Sequence, residues 1–256
     1  MAFNIKICSF NMRCPSKGDG INFFPNRTNR ILEFIRNEDP DIIGFQEAAD
    51  MSREWLSETL TDYTVVGCGR DEDLHGESTV IAYRTKDFNM LFAETFWLSS
   101  APSVAGSRYG ADQSIYPRVA TAAILRAKGA KKQFLFINTH LDHLGSAARM
   151  YGSIQLLQYI DRMNMPFVLT GDMNALPDAP EIKVITNCEY RKISDITCLL
   201  GGTFHNYGRK ETNDKIDYIF SDMHASAEET YIVEDIPVDG VYISDHFPVI
   251  GFITAE

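Results

Sequence analysis

Short apolar runs of β-type residues recur along this whole chain, and one after another ends in an amide, an acid or an imidazole. The runs lie at 4–10, 41–45, 63–68, 79–83, 90–98, 119–126, 134–138, 167–170, 216–220, 231–236 and 247–253. Most are bounded by Gly, Pro, Asp or Asn, as strands are. Helical periodicity is clearest at 26–37, where Ile31, Leu32, Phe34 and Ile35 sit among Arg and Glu, and at 146–163, with Met150, Ile154, Leu157 and Ile160 in register. Segments 51–60 and 179–186 are shorter candidates. Strands outnumber helices, and the helices fall at crossovers. That pattern predicts an α/β fold in which two sheets pack together with helices outside. No linker composition or internal repeat divides the chain, so one domain over 1–256 is expected, with a long binding loop at 99–117.

The polar strand ends carry the chemistry. The first run meets Asn11, the second Gln46 and Glu47. The run at 134–138 leads into Thr139, His140, Leu141, Asp142 and His143, and that at 167–170 into Gly171, Asp172, Met173 and Asn174. Asp217 interrupts an apolar strand, where an unpartnered acid is costly to bury. Asp245 and His246 directly precede the last run. Each residue alone has a plain reading: Asn11 and the Gly-Asp-Met-Asn stretch as turns, Glu47 as a solvated loop acid, His246 as a core histidine. A single crevice at neighbouring strand ends explains them together.

Bulk properties narrow the partners. The formal charge is −11, from 24 Lys and Arg against 35 Asp and Glu, with no basic run longer than Lys131-Lys132. Proteins that track long nucleic acid carry a basic face, so such a partner is disfavoured. The five cysteines are scattered and form no CxxC pair, which fits reduced thiols in a cytoplasmic protein. No apolar run approaches the roughly 20 residues that span a bilayer. Oligomeric state is not legible.

In order, the pieces SFNMR (9–13), FQE (45–47), NTHLDH (138–143), GDMN (171–174), KIDYIF (215–220) and SDHFPV (244–249) resemble the endonuclease/exonuclease/phosphatase superfamily, with its deoxyribonuclease-like fold, and a bacterial metal-dependent hydrolase branch of it. The resemblance covers nearly the whole chain. It implies a four-layer α/β sandwich of two mostly antiparallel, mixed sheets flanked by helices. It also implies a hydrolase that directs water in line at a phosphate ester, monoester or diester. It implies Mg²⁺, with Mn²⁺ as an alternative, held by Glu47 with Asn11 and Asp245 close by. Arg13 stands where nuclease members carry an acid, which argues against a second metal. His140, Asp172, Asn174, Asp217 and His246 are the implied catalytic residues. Either Asp172 or His246 is the base; we favour Asp172, with His246 and Asp217 holding a phosphate oxygen and His140 and Asn174 donating to others. A neutral imidazole at His246 would suit either role. Arg118, His143, Arg149 and Arg13 are candidate substrate contacts, and Tyr109 and Tyr116 could stack on a base or sugar. The substrate is expected to be small or short. A nuclease, a non-catalytic binding module on the same fold, and a carboxylate-pair glycosidase are the competing readings.

Overall fold

The computed structural model describes residues 2–110 and 112–256, so position 111 of the long 99–117 loop lies outside the described residues. In chain order the elements are β1 (Phe3–Asn11), α1 (Phe24–Glu38), β2 (Ile42–Gln46), α2 (Asp50–Thr59), β3 (Tyr63–Val66), β4 (Ile81–Arg84) and β5 (Phe88–Trp97). Then follow β6 (Val119–Ala127), β7 (Phe134–His140), α3 (Ser146–Met163), β8 (Phe167–Asp172), α4 (Pro180–Thr186), β9 (Ser194–Asp195), β10 (Asp217–Ser221), β11 (His224–Ala225), β12 (Tyr231–Ile232) and β13 (Val249–Ala255). A seven-stranded sheet runs β11-β13-β1-β2-β4-β3, with β12 also on β13, and a six-stranded sheet runs β5-β6-β7-β8-β10-β9. Both are mixed. β1 and β2 are parallel, as are β7 and β8, while the other pairings are antiparallel.

Alternation sorts each central strand into two faces. Ile5 and Ile7 of β1 face Phe134 and Phe136 of β7, Val168 of β8 and Ile219 of β10 in a core between the sheets. Cys8 and Phe10 turn outward onto Ile31, Phe34 and Ile35 of α1 and Leu56 of α2. Leu135, Ile137, Phe167 and Leu169 turn outward onto Leu156, Leu157 and Ile160 of α3 and Ile182 and Ile185 of α4. The result is the expected four-layer sandwich. Burial on both faces is why these strands read as unbroken apolar runs.

Local signals place the helices. Pro occupies the first turn of α1, and Asp39 ends it in the left-handed conformation ahead of Pro40. Asn164 ends α3 the same way. The expected strand at 231–236 is paired only over Tyr231–Ile232, because the chain there is an edge that β13 meets briefly. The two-residue strands β9 and β11 carry too little pattern to be read from sequence.

Candidate active site

The parallel strands β1, β2, β7 and β8 point their C-terminal ends one way, and the antiparallel strands β10 and β13 begin at that same end. All the polar strand ends therefore converge. The inward positions change character along each strand: Ile5, Ile7, Ser9, Asn11 on β1 and Phe134, Phe136, Asn138, His140 on β7. β8 does the same with Val168, Thr170 and Asp172.

Just beneath the cleft, a buried amide seam joins the sheets. Gln46 Nε2 donates to Asn138 Oδ1 (2.7 Å), Thr170 Oγ1 donates to the same oxygen (3.0 Å), and Asn138 Nδ2 donates to the Phe45 carbonyl (2.7 Å). Gly44 makes room for it: a Cβ there would lie 2.3 Å from Thr170 Oγ1 and 2.7 Å from Asn138 Oδ1.

One local device recurs around the rim. Asn11 Oδ1 accepts the Arg13 N–H, Asp172 Oδ1 the Asn174 N–H, Asp142 Oδ1 the Leu144 N–H and Ser244 Oγ the His246 N–H, at 3.0, 2.9, 3.1 and 3.2 Å. Each is an Asx- or Ser-type turn that folds the strand end back on itself. The turn reading of Asn11 and of the Gly-Asp-Met-Asn stretch therefore holds, and it leaves their other polar atoms free to face the cleft. Arg13, Glu47 and Asn174 take positive φ of 56°, 60° and 48°. Such backbone costs roughly 1–3 kcal/mol each and clusters where function needs it.

Asp172 is the hub. Its Oδ2 accepts from Asn11 Nδ2 (2.9 Å) and lies 3.5 Å from His140 Nε2 and 3.8 Å from His246 Nε2. Asn11 Nδ2 also reaches Glu47 Oε1 (3.1 Å), and the Cys14 N–H binds Glu47 Oε2 (2.8 Å). His246 Nδ1 donates to Asp217 Oδ2 (2.8 Å), an oxygen that Thr203 Oγ1 also donates to. Burial and Asp217 push the Asp172 carboxyl up to about 7, against the pull of His246. Burial alone would neutralise His246, but Asp217, Asp172 and Asp245 outweigh it and raise the ring to about 10. These carboxylates favour the charged ring, where a neutral one is expected. His140 is the opposite case: burial and Arg118 hold it well below its ordinary value. Its Nε2 accepts from Asn174 Nδ2 (2.9 Å), a tautomer assigned from the bonding pattern, and the same amide donates to the Leu141 carbonyl (3.0 Å). In this arrangement Asn174 spends its N–H groups on the protein.

The cleft, of about 430 Å³, is lined by Glu47, His140, Asp172, Asn174, Asp245 and His246, and also by Arg13, Arg118 and His143. Asn11 and Asp217 lie beneath that lining as supports. Asn11 turns its amide nitrogen, not its oxygen, toward the carboxylates, so direct metal ligation would require the amide to turn over. Arg13 forks Asp19 through two 3.0 Å bonds and stands 3.8 Å from both Glu47 and Asp245, a loop anchor that also brings positive charge to those acids. Arg149 is not in the lining. Its Nε pairs with the buried Glu181 (2.6 Å) and its Nη1 donates to the Asp142 carbonyl (3.0 Å), so it ties α3 to α4 and to the loop after β7. That role replaces the expected substrate contact.

Several residues escaped sequence reasoning. Arg70, Glu77 and Cys14 line the cleft from segments without periodicity. Arg27, in what reads as the polar face of α1, is fully buried and donates to the carbonyls of Met12 (2.7 Å), Arg13 (2.9 Å) and Ile243 (2.6 Å), fixing two rim loops at once. Asp142 in the HLDH stretch is a loop hub, accepting from Ser114, Leu144, Gly145 and Arg118. No sequence signal distinguishes these uses from solvated charge.

Residues 8–246 match the model of the endonuclease/exonuclease/phosphatase family. A solved endonuclease/exonuclease/phosphatase structure from Bacteroides vulgatus is 29% identical, covering 99% of this chain and 100% of that one with a TM-score of 0.91. A mannosyl-6-phosphatase from Bacteroides thetaiotaomicron is 27% identical, covering 97% and 99%, with a TM-score of 0.84. An uncharacterized protein, L388, of Acanthamoeba polyphaga mimivirus is 23% identical over 88% of this chain and 90% of its own length. With the polar strand ends gathered in one cleft and the family match spanning them, the chain belongs to the endonuclease/exonuclease/phosphatase family, whose members are phosphate-ester hydrolases.

Proposed function

We propose that the chain is a single catalytic domain that hydrolyses small or short phosphate esters with Mg²⁺, Mn²⁺ serving as a substitute, by in-line attack of water on phosphorus. One observation carries this reading: Asp172 is fixed by the Asn11 amide and the Asn174 N–H, and carries an elevated proton affinity between two imidazoles of opposite charge preference. A carboxylate with a pKa near the working pH can both orient water and take its proton. The imidazolium of His246, backed by Asp217, supplies a cationic N–H for a phosphate oxygen, a type of contact worth about 3 kcal/mol in a transition state. Asn174 can add a donor once substrate displaces its bond to His140, and His140 can do so from Nε2 by taking up the other tautomer.

The donor set fits a hard divalent cation. Glu47 and Asp245 both line the cleft, and their carboxylate oxygens are the donors that such an ion takes. Glu47 and Asp245 would hold the ion, with Asn11 contributing through water or a turned amide. Stabilisation of the leaving oxygen is the chemistry that Mg²⁺ supplies when bound.

The mannosyl-6-phosphatase relative supports a sugar phosphate or comparable small ester as substrate. The acidic balance weighs against long nucleic acid. Five free cysteines suit a reducing, cytoplasmic setting, and no helix among the described residues is long and apolar enough to cross a membrane. The test is a panel of phosphomonoesters, phosphodiesters and short oligonucleotides with Mg²⁺ or with EDTA. We expect chelator-sensitive turnover of a small ester. Turnover that ignores EDTA, or that is confined to polynucleotides, would overturn the proposal.

A further inference from the structure

Part of the cleft lining has a different chemistry from the Asp172 and His246 centre. Arg70 and Arg118 both line it, and they are only 7% and 5% exposed. The Arg70 guanidinium lies 4.6 Å over the Tyr116 ring, and the His143 ring stands 6.2 Å from that ring on its other flank. Arg118 Nη2 donates to His143 Nδ1 (2.9 Å), joining the four side chains into one surface.

We propose that this surface is a second anion subsite, and that the preferred substrate carries a phosphate or carboxylate group in addition to the ester being cleaved. The inference rests on the phosphohydrolase reading above and adds to it a substrate class.

Charge accounting supports it. The carboxylates facing the pair are Glu77, 2.7 Å from Arg70 Nη1, Asp142, 3.3 Å from Arg118 Nε, and Glu47 beyond. Asp142 is already occupied by the Ser114 hydroxyl and by the N–H groups of Ser114, Leu144 and Gly145. Glu77 engages only Nη1 of Arg70 and leaves the other donors of the pair unspent. His143 accepts from a guanidinium, and burial and Arg118 lower its pKa, so it competes for no anion as a cation but can meet a sugar hydroxyl. Arg70 Nε has no partner, and among the described residues no protein acceptor meets Arg70 Nη2 or Arg118 Nη1. Two buried forks with unspent donors are suited to an oxyanion. Neither arginine bonds to Asn11, Asp172, Asp217 or His246, although both line the cleft beside Glu47 and His140.

The experiment uses the whole chain with Mg²⁺ and three probes: glucose 6-phosphate, glucose 1,6-bisphosphate and 6-phosphogluconate. The last two test phosphate and carboxylate as the extra anion. We expect at least one of them to exceed glucose 6-phosphate in kcat/KM by about tenfold, mainly through KM, the scale of one charge-assisted contact. Arg70→Gln should shrink that ratio to less than about threefold. Tyr116→Leu, at a partly exposed position, should shrink it too, and serves if Arg70→Gln does not fold. Equal kcat/KM for all three probes in the wild type, or an equal loss for all in Arg70→Gln, would overturn the subsite while leaving the phosphohydrolase reading intact. The equal loss would mean that the arginines hold the scissile phosphate itself. No Mg²⁺-dependent phosphate release from any probe or from the wider ester panel would sink both.

Discussion

The floor and the rim of the cleft are built by different means. Floor residues such as Asn11, His140 and Asp172 sit on strand ends at inward positions, buried, and cross-linked by the Gln46, Asn138 and Thr170 seam. Rim residues such as Arg70, Glu77 and Tyr116 come from loops and are held by ion pairs and ring contacts. Strands set side-chain direction to within the pleat, so the floor suits chemistry that tolerates little displacement. Loops can change without disturbing the core, so the rim suits recognition. Floor changes should therefore act on kcat for every substrate, and rim changes should discriminate among substrates.

The largest effect should come from Glu47, the acid proposed to hold the metal. Glu47→Ala, or EDTA on the wild type, should reduce turnover to background while the circular dichroism spectrum is retained. Residual Mg²⁺-dependent activity near wild type would remove Glu47 from the floor's chemistry. Asp172→Asn keeps shape but loses the base, and a kcat loss of roughly 10³-fold is expected in steady-state assays. Gly44→Ala would test the seam: the added methyl overlaps Thr170 and Asn138, so melting should fall markedly and activity with it. Arg149→Ala separates packing from binding. Leaving Glu181 buried without its partner should cost about 3 kcal/mol in denaturant unfolding, with KM little changed; a large rise in KM would return Arg149 to the binding surface.

The smallest effect concerns Asp142. Burial opposes its ionisation, but the Ser114 hydroxyl, the Gly145 and Ser114 N–H groups and Arg118 outweigh burial and depress its pKa. A depressed carboxyl adds stability that is complete above the ordinary value near 3.9 and fades as pH falls toward the folded pKa. Asp142→Asn should therefore lower Tm by about 3 °C at pH 7, with the difference narrowing below about pH 4. A constant difference across pH would assign Asp142 a purely steric role.

The same contrast explains what could be read from the chain. The order of strands and helices predicted the sandwich, and apolar runs ending in Asn11, Glu47, His140 and Asp172 marked the candidate floor residues. Arg149 resembled a ligand because nothing in its helix reveals that Glu181, on another helix, is buried beneath it. Nothing near Arg27 in the sequence shows that three distant carbonyls enclose it. Arg70 and Glu77 occupy a segment where neither a period of two nor of 3.6 gives direction. The charge around His246 depends on Asp217 of β10 and Asp172 of β8 as well as its neighbour Asp245, and local sequence contains only the last.

The direct test of the central claim is the fate of oxygen. Hydrolysis of a small phosphate ester by the Mg²⁺-loaded protein in ¹⁸O-water, followed by mass spectrometry, should place the label in inorganic phosphate, and Asp172→Asn should abolish its appearance. Label recovered in the released alcohol would contradict water attack on phosphorus, and undiminished labelling by Asp172→Asn would contradict the role given to the floor.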